Sequence, residues 1–546
     1  MSELGRSAPD LLFDPPLLVS GRAKEAALRE TLTFGFARGA ERDRLLLVTE
    51  PPLGESHFEK SAFSSDLFLN ELVERSFKLV AGGKAIESKA RYFTKLITHP
   101  PKERCCVDYR NSIHEELSDS PQRLTGLVAA YLATVDFRDA LCGTEFNQRS
   151  VGVRRRIDIL MAYRKAIEQL HRACGTSVSG LSRVATWIED IQTKPAHQAL
   201  LQLLDFEGGR SVLETRLQAG YDGTLRRFEI VRVSTVQHRA FPRGPLTRLF
   251  RSLVSLLKGY RFSEEDVMSH VLDDVFAQLE DEVTIVLGLM QQIEFYLRAA
   301  YFCEQAKAKG FSTCVPVFVS AGHGRTIQGL FNPWLLSQKG ETPVPCQIHT
   351  EAGEAIVIVT GPNSGGKTRL LQSLASAQLL AQAGLPVPAQ SAELLWVEQL
   401  FLSLIEHVAS NQVEGRLGSE LLRIRQVFET SGERALILMD ELCSGTNPSE
   451  GERIFEMVLE LLKELGAQVW ITTHFLDFAL RIQEKQEDGA LAFLQVELDQ
   501  HKRPTYQFIS GVAETSLARN TAARLGVTRE ELRALILSHA DRHRLT

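Results

Sequence analysis

Three short stretches of this chain carry the residue types and spacing for chemistry. The first is "IVTGPNSGGKTRLLQSL", residues 358–374. It fits the pattern G-x-x-x-x-G-K-[ST], a glycine-rich turn between a strand and a helix. Gly361, Gly365 and Gly366 let backbone N–H groups close around an anion, and Pro362, Asn363 and Ser364 complete the turn. The helix that follows adds the positive end of its dipole. Lys367 is placed to reach the β- and γ-phosphates of ATP, and Thr368 to ligate Mg²⁺. The second stretch is "ALILMDELCSGTNPSEG", residues 435–451. It puts an acidic pair at the end of an apolar strand, where open α/β sheets keep their ligands. Asp440 is the residue to hold Mg²⁺ through water, and Glu441 the general base that orients an attacking water. The third is "GAQVWITTHFLDFA", residues 466–479, a strand ending in Thr472, Thr473 and His474. His474 is expected to contact the γ-phosphate or the water. Each stretch also has a plainer reading: a structural glycine turn, a solvated acidic pair, a structural histidine. Three such stretches, each at the end of an apolar run, favour the phosphate chemistry.

The elements that must position these residues read as an α/β layer. "AIVIVT" (355–360) is a strand, and "RLLQSLASAQLLAQAG" (369–384) is a helix ending at Gly384. Further β-rich runs are "CQIHT", "LFLSLI", "ALILMD", "QVWITT", "AFLQVEL" and "PTYQFIS". Continuous apolar runs of this kind suit a sheet covered on both faces. The texture changes near 320, at "STCVPVFVSAGHGR". From 66 to 320 the pattern is mostly helical: "SDLFLNELVERSFKLV" spaces its apolar residues at close to 3.6, with Ser65 as its expected cap. A proline-free stretch over 263–310 predicts one long helix, a lever of about 70 Å at 1.5 Å per residue. Residues 1–65 are expected to be a poorly defined lead-in, loosest over its first part. The chain shows no internal repeat and no low-complexity tract.

Composition excludes several classes. Hydrophobic residues make up 44 % and charged residues 24 %, and no apolar run reaches the length of a membrane span. The first residues lack the features of a signal peptide. None of the eight cysteines forms a CxxC pair, which argues against a zinc ribbon or a disulfide framework and for a reducing cytosol. The net charge of −6 means that a nucleic-acid partner needs a local basic patch. Residues 226–261 supply one. They carry Arg226, Arg227, Arg232, Arg239, Arg243, Arg248, Arg251, Lys258 and Arg261 against a single acid, Glu229, a local charge of +8. Such a density neutralises phosphates and releases counterions, and nothing in it indicates base-specific reading. A smaller cluster is "VRRRIDILMAYRK", residues 153–165. Solvated helix faces are the plainer reading of both.

Taken together, "TGPNSGGKT", "LILMDELCSGTNPSEG" and "ITTHF" resemble the ATPase domain of the MutS mismatch-repair family. The variant "GTNPSEG" looks closer to the second bacterial MutS subfamily than to the mismatch-recognising one. "FNPWLL" (331–336) resembles the family's element beside the adenine. "SGVAETSLARNTAARLGVTREELRALI" (510–536) resembles its closing helical element that joins two subunits, with Thr528 and Glu531 as a capping box. The resemblance is strong over 325–540 and weaker over the helical part. It implies an α/β P-loop NTPase of the ABC-like MutS type over 321–546, with a dimerisation element at 510–546. A mostly helical core or lever precedes it over 66–320, with a clamp at 212–262. ATP and Mg²⁺ are the implied cofactors. The chain departs from the family in the segment that completes the neighbouring subunit's site. In "NQVEGRLGSELLRIRQVFE" (411–429) Glu420 matches the family's glutamate, Gly415 stands at the usual serine, Leu417 replaces a phenylalanine, and Ser419 is displaced. With only some 65 residues before the helical core and an end at 546, neither a mismatch-reading domain nor a nuclease-like domain is expected.

The resemblance implies a homodimeric clamp that ATP binding and hydrolysis open, close or slide on branched or distorted DNA, in mismatch repair or recombination. The long helices would carry the nucleotide state to the clamp. The competing reading keeps the same engine as an ATP-gated binding protein acting on ribosomes, RNA or another protein complex. A chromosome-organising ABC-like ATPase is disfavoured, because no LSGGQ-type signature precedes 435. The expected location is the cytoplasm, beside the nucleoid in a bacterium, with no membrane partner.

Overall fold

The computed structural model describes residues 8–17, 22–56, 58, 63–81, 84–86, 90–142, 151–207, 211–219, 225–235, 264–320, 323–351, 355–404, 416–443, 447–485, 490–514, 529–530 and 532–533. The chain folds into two compact units, neither continuous in sequence. One comprises residues 1–53, 79–88 and 108–300; the other comprises 54–78, 89–107 and 301–546. The texture change near 320 therefore lies inside the second unit.

The first unit is built on helices, among them Arg22–Arg38, Pro121–Cys142, Val151–Cys174 and Ser182–Thr193. Three expectations are corrected here. Residues 8–17 are not a loose lead-in. Leu11 and Leu12 are fully buried; Leu11 N donates to Gln292 Oε1 at 2.9 Å, and Arg110 Nε donates to the Leu12 carbonyl at 2.8 Å. Asp10 Oδ1 accepts from the N–H groups of Leu12 and Phe13 at 2.8 and 3.2 Å, closing the segment into a turn. A three-residue apolar run has no period to read, so only the tertiary contacts reveal this strap. The stretch 263–310 is not one helix. It divides into Glu264–Gln278 and Glu280–Ala308, broken where Leu279, 1 % exposed, turns into the core. Leu279 N bonds Phe276 O, a tight i−3 turn that ends the first helix. The longer piece reaches about 43 Å rather than 70 Å. Lastly, the mostly helical stretch contains an antiparallel hairpin, Ser211–Ala219 with Leu225–Thr235, whose register pairs Leu213 with Val233. Its second strand alternates apolar and polar residues only over 228–230 and 231–233, and the register is broken by two irregularities.

In the second unit the expected cap at Ser65 is also corrected. Ser65 lies within the short helix Phe63–Asp66, its Oγ donating to Asp66 Oδ1 at 3.1 Å. The next helix, Leu69–Ser76, starts after Phe68, whose φ of 51° ends the first.

Among the described residues, ten strands of this unit form two sheets. The first sheet takes β1 (Val317–Val319), β2 (Thr326–Leu330), β3 (Cys346–His349) and β5 (Ser391–Leu395) in the order β1-β5-β2-β3. The second takes β4 (Ile356–Thr360), β6 (Gln399–Ser403), β7 (Ala435–Met439), β8 (Gln468–Thr472), β9 (Leu491–Leu498) and β10 (Pro504–Ser510) in the order β6-β7-β8-β4-β9-β10. All neighbours in this second sheet run parallel except β9 and β10. Every residue of β4 and β7 is buried, which is why both read as unbroken apolar runs.

Four helices matter for the site: α1 (Lys367–Gln382), α2 (Arg416–Thr430), α3 (Pro448–Leu465) and α4 (Leu476–Lys485). Ile356, Ile358, Ile437, Met439 and Ile471 on one sheet face join Phe455, Val458 and Leu462 of α3 and Phe478 of α4 in one core. Helix α1 is buried nearly all round, and its interior glutamines are satisfied largely by backbone groups of neighbouring segments. Gln378 Nε2 donates to Leu395 O at 3.0 Å, and Gln382 bonds both the carbonyl and the N–H of Val397. Helix α3 opens at Asn447, whose side chain accepts from Ser449 N at 3.2 Å, with Pro448 at the first helical position. Replacing Asn447 with alanine is expected to cost about 1 kcal/mol. Urea unfolding followed at α3 checks this, and an unchanged midpoint contradicts it.

Candidate functional site

Strand order brings the three chemical stretches to one edge. β7, β8 and β4 are successive neighbours and parallel, so their C-terminal ends lie side by side. After β4 the chain crosses to β6, β7 and β8 on one side and then to β9 on the other. The crevice beside β4 is therefore a switch point of the kind that holds ligands.

The turn after β4 is tight. Gly361 has φ 133° and Gly366 has φ 87°, both in the region that favours glycine. A Cβ on Gly361 would lie 2.7 Å from Val496 Cγ2, and one on Gly366 would lie 3.1 Å from Tyr506 Cδ1. Val496 of β9 and Tyr506 of β10 thus wall the turn from behind. Gly365 N bonds Pro362 O at 2.9 Å, while Asn363 and Ser364 stand exposed at the tip. Lys367 opens α1 and is 3 % exposed. Its Nζ donates to the carbonyls of Gly361 at 2.9 Å and Pro362 at 3.2 Å. Burial pulls the Lys367 ammonium below its ordinary pKa, and the charges of Glu441 and Asp440 oppose that fall.

Asp440 and Glu441 follow β7. Asp440 N completes the ladder to Ser403 O at 2.9 Å. Its two carboxylate oxygens each accept a hydroxyl: Oδ2 from Thr368 and Oδ1 from Thr472. Burial pushes the Asp440 carboxyl up, while the two hydroxyls pull it down. Glu441 is half-buried, with φ 50°, and its N–H donates to Thr472 Oγ1 at 2.8 Å. His474 stands two residues past β8, half-buried, with its ring 4.3 Å from that of Phe475.

These donors suit a triphosphate and a hard divalent cation. The buried ammonium is held by carbonyls of the glycine turn, and the hydroxyl of Thr368 and carboxylate of Asp440 form an oxygen-only pair at hydrogen-bond range.

The structure thus brings together Gly361, Pro362, Gly365, Gly366, Lys367, Thr368, Asp440 and Glu441, with His474 at the end of the adjacent strand. Glu420 lies on α2, and its charge assists burial in pushing the Cys443 thiol up to about 12. Ser419 lies on the same helix, whereas Gly415 is outside the described residues. Arg226, Arg227 and Arg232 fall on the strand Leu225–Thr235, while Arg239, Arg243, Arg248 and Arg251 lie outside the described residues. Of the closing element 510–536, the capping pair Thr528 and Glu531 also lies outside them.

Beside α1 is a cleft of about 480 Å³ lined by Trp334, Leu335, Gln338, Lys339, Glu341 and Arg369. Arg369 stacks over the Trp334 ring at 4.8 Å, and Phe68 stacks on its centroid at 4.5 Å. "FNPWLL" sits here with Asn332 capping its short helix. Sequence reasoning missed Phe68, Val496, Tyr506 and the bonding of Thr472, because each acts on residues distant in the chain. Among the described residues no helix is long and apolar enough to cross a membrane, and no group of three or more His, Cys, Asp or Glu is placed to hold a metal.

Residues 357–534 match the family model described as MutS domain V. The chain is 28 % identical over 284 residues to endonuclease MutS2 of Thermus thermophilus, covering 51 % of this chain and 36 % of that protein. It is 26 % identical over 352 residues to endonuclease MutS2 of Streptococcus thermophilus, covering 62 % and 42 %. Over a shorter span of 191 residues it is 35 % identical to endonuclease MutS2 of Pelotomaculum thermopropionicum, covering 34 % and 24 %. The matches thus span less than half the length of these relatives.

Proposed function

We propose, for a chain that carries a MutS domain V and is related to the MutS2 proteins, that it is a Mg²⁺-dependent ATPase of the P-loop NTPase fold. In this reading it works as a homodimeric clamp on DNA. The observation that carries the ATPase reading is the single edge where Lys367, Thr368, Asp440 and Glu441 meet.

Backbone N–H groups of residues 363–366, beyond Pro362, and the Lys367 ammonium bind the phosphates. Thr368 and Asp440 are the residues that would hold Mg²⁺, which when bound would supply positive charge against the phosphate oxygens. A water attacks the γ-phosphorus in line, forming one P–O bond while the bond to the β-phosphate oxygen breaks. The water's proton passes to the Glu441 carboxylate, and ADP and phosphate leave. His474 reports on the γ-phosphate or orients the water. The cleft beside Trp334 and Arg369 is the candidate place for the base, with the Arg369 guanidinium available to stack on it. Glu420, Ser419 and Gly415 are the candidates to meet a neighbouring subunit's nucleotide, and the segment 510–546 to join the subunits.

The DNA reading rests on the relatives' name and on the +8 charge of residues 226–261. Contact there is with phosphates, so recognition is of shape. Neutralising Arg226, Arg227, Arg243 and Arg248 together is expected to weaken binding to a four-way DNA junction. It should also reduce the slope of log K against log salt by roughly 3–4. Fluorescence anisotropy across a salt series measures both. An unchanged slope places the contact elsewhere on the chain, and tighter binding to ribosomes than to the junction at fixed salt favours the ribosomal reading.

A further inference from the structure

We infer that Thr472 is a positioning residue for hydrolysis, tying the end of β8 to the end of β7 and setting the backbone from which Glu441 works. The inference rests on the ATPase reading above.

Thr472 ends β8 and is fully buried. A hydroxyl has one proton to give and two lone pairs. Here the proton goes to Asp440 Oδ1, and a lone pair takes the Glu441 N–H at 2.8 Å. One atom thus contacts both members of the acidic pair from the neighbouring strand. The opposite carboxylate oxygen of Asp440 is taken by Thr368 at the start of α1. The Asp440 carboxylate is therefore clamped between a hydroxyl from the glycine turn and a hydroxyl from β8.

The Glu441 contact has a separate consequence. Asp440 N still pairs with Ser403 O of β6, so the strand ladder runs to Asp440. The next N–H turns the other way, to Thr472. Successive N–H groups of a strand alternate between its neighbours, so the direction is ordinary; what departs from the ladder is the partner, a hydroxyl, and the φ of 50° at Glu441, a left-handed conformation disfavoured for any residue with a Cβ. The Thr472 oxygen holds this conformation in place and with it the origin of the Glu441 side chain. Thr473 differs: its Oγ1 accepts the N–H of Phe475 at 3.1 Å, a bond within its own turn. The two threonines look alike in sequence, and of their hydroxyls that of the first bridges strands while that of the second stays in its own turn.

A valine at 472 keeps the branched shape, leaves the Glu441 N–H unpaired and removes one donor from Asp440. A serine restores both bonds. The experiment compares wild type, Thr472→Val and Thr472→Ser in the full chain. It measures ATP affinity by equilibrium titration, hydrolysis by single turnover, and folding by thermal melting. Thr472→Val is expected to bind ATP within about threefold of wild type and to hydrolyse it roughly 100-fold more slowly, because a misplaced reacting group loses rate rather than affinity. Thr472→Ser is expected to recover to within about threefold of the wild-type rate. A Thr472→Val protein that hydrolyses ATP at the wild-type rate overturns the inference and leaves the ATPase reading standing. So does a Thr472→Ser protein as slow as the valine variant, or a valine variant whose loss is confined to ATP binding or to folding. A wild-type protein that does not turn over ATP overturns the ATPase reading and the inference with it.

Discussion

The Glu441→Ala protein is expected to bind ATP as the wild type does and to turn it over roughly a thousandfold more slowly, the loss typical of a missing general base. The argument is geometric. Glu441 is half-buried at the end of β7, it shares a peptide with the clamped Asp440, and its backbone is fixed by Thr472. Removing its carboxylate removes the proton acceptor without touching the glycine turn or Lys367. Binding and chemistry therefore separate. ATP persists on the variant, which filter binding detects and single-turnover hydrolysis quantifies. Turnover that persists in this variant at more than about a tenth of the wild-type rate would reassign the base to another group.

Replacing Lys367 with alanine is expected to act on the other half of the cycle. ATP affinity should fall by roughly a hundredfold or more, about 2.7 kcal/mol. Lys367 is 3 % exposed, and among the described residues its ammonium is held by the Gly361 and Pro362 carbonyls and favoured by the charges of the acidic pair. Burial disfavours that charge, so the folded chain carries it at a cost. Truncation removes the cost along with the contacts, and the variant should melt close to the wild type while failing to bind nucleotide. Isothermal titration beside a thermal melt makes the distinction. A variant that binds ATP normally contradicts the phosphate role; one that merely unfolds shows a structural role.

What was legible in the sequence is what is local. The glycine turn, the acidic pair and the threonine–histidine ending are each contiguous, and each follows a strand whose burial on both faces leaves an unbroken apolar run. The strands "CQIHT" and "PTYQFIS" were legible from their β-rich composition rather than from an apolar run, and stand as β3, buried on one face only, and β10, largely half-buried. The rest of the first sheet was not. β1 has three residues with an exposed–buried pattern, and β2 and β5 are five-residue strands whose exposed faces break any apolar run. The hairpin Ser211–Ala219 with Leu225–Thr235 was hidden for another reason. Its arginines invite a reading by charge, and its apolar residues alternate over too short a stretch to stand out from the helical texture around it.

Long-range contacts were illegible in principle. Asp66 accepts the N–H of Leu404 at 2.8 Å across 338 positions, and its carbonyl accepts Gln372 Nε2 at 2.7 Å. These bonds fasten the helical segment 63–66 to α1 and to the end of β6. Nothing in "SSDLFL" announces them. The break at Leu279 is of the same kind: helix propensity favours continuation, whereas the chain turns there, with Leu279 N on Phe276 O. The resemblance to the MutS ATPase supplied roles for residues that the pattern alone left open, as for "FNPWLL". It did not supply Thr472, whose bridging follows only from the adjacency of β7 and β8.

Steady-state ATP hydrolysis is the most direct test of the central claim, measured on wild type beside Glu441→Ala, each with and without a four-way DNA junction. The account predicts turnover by the wild type that rises when the junction is added, and almost none by the variant in either condition. Equal turnover by the two proteins, whatever the DNA, would contradict it.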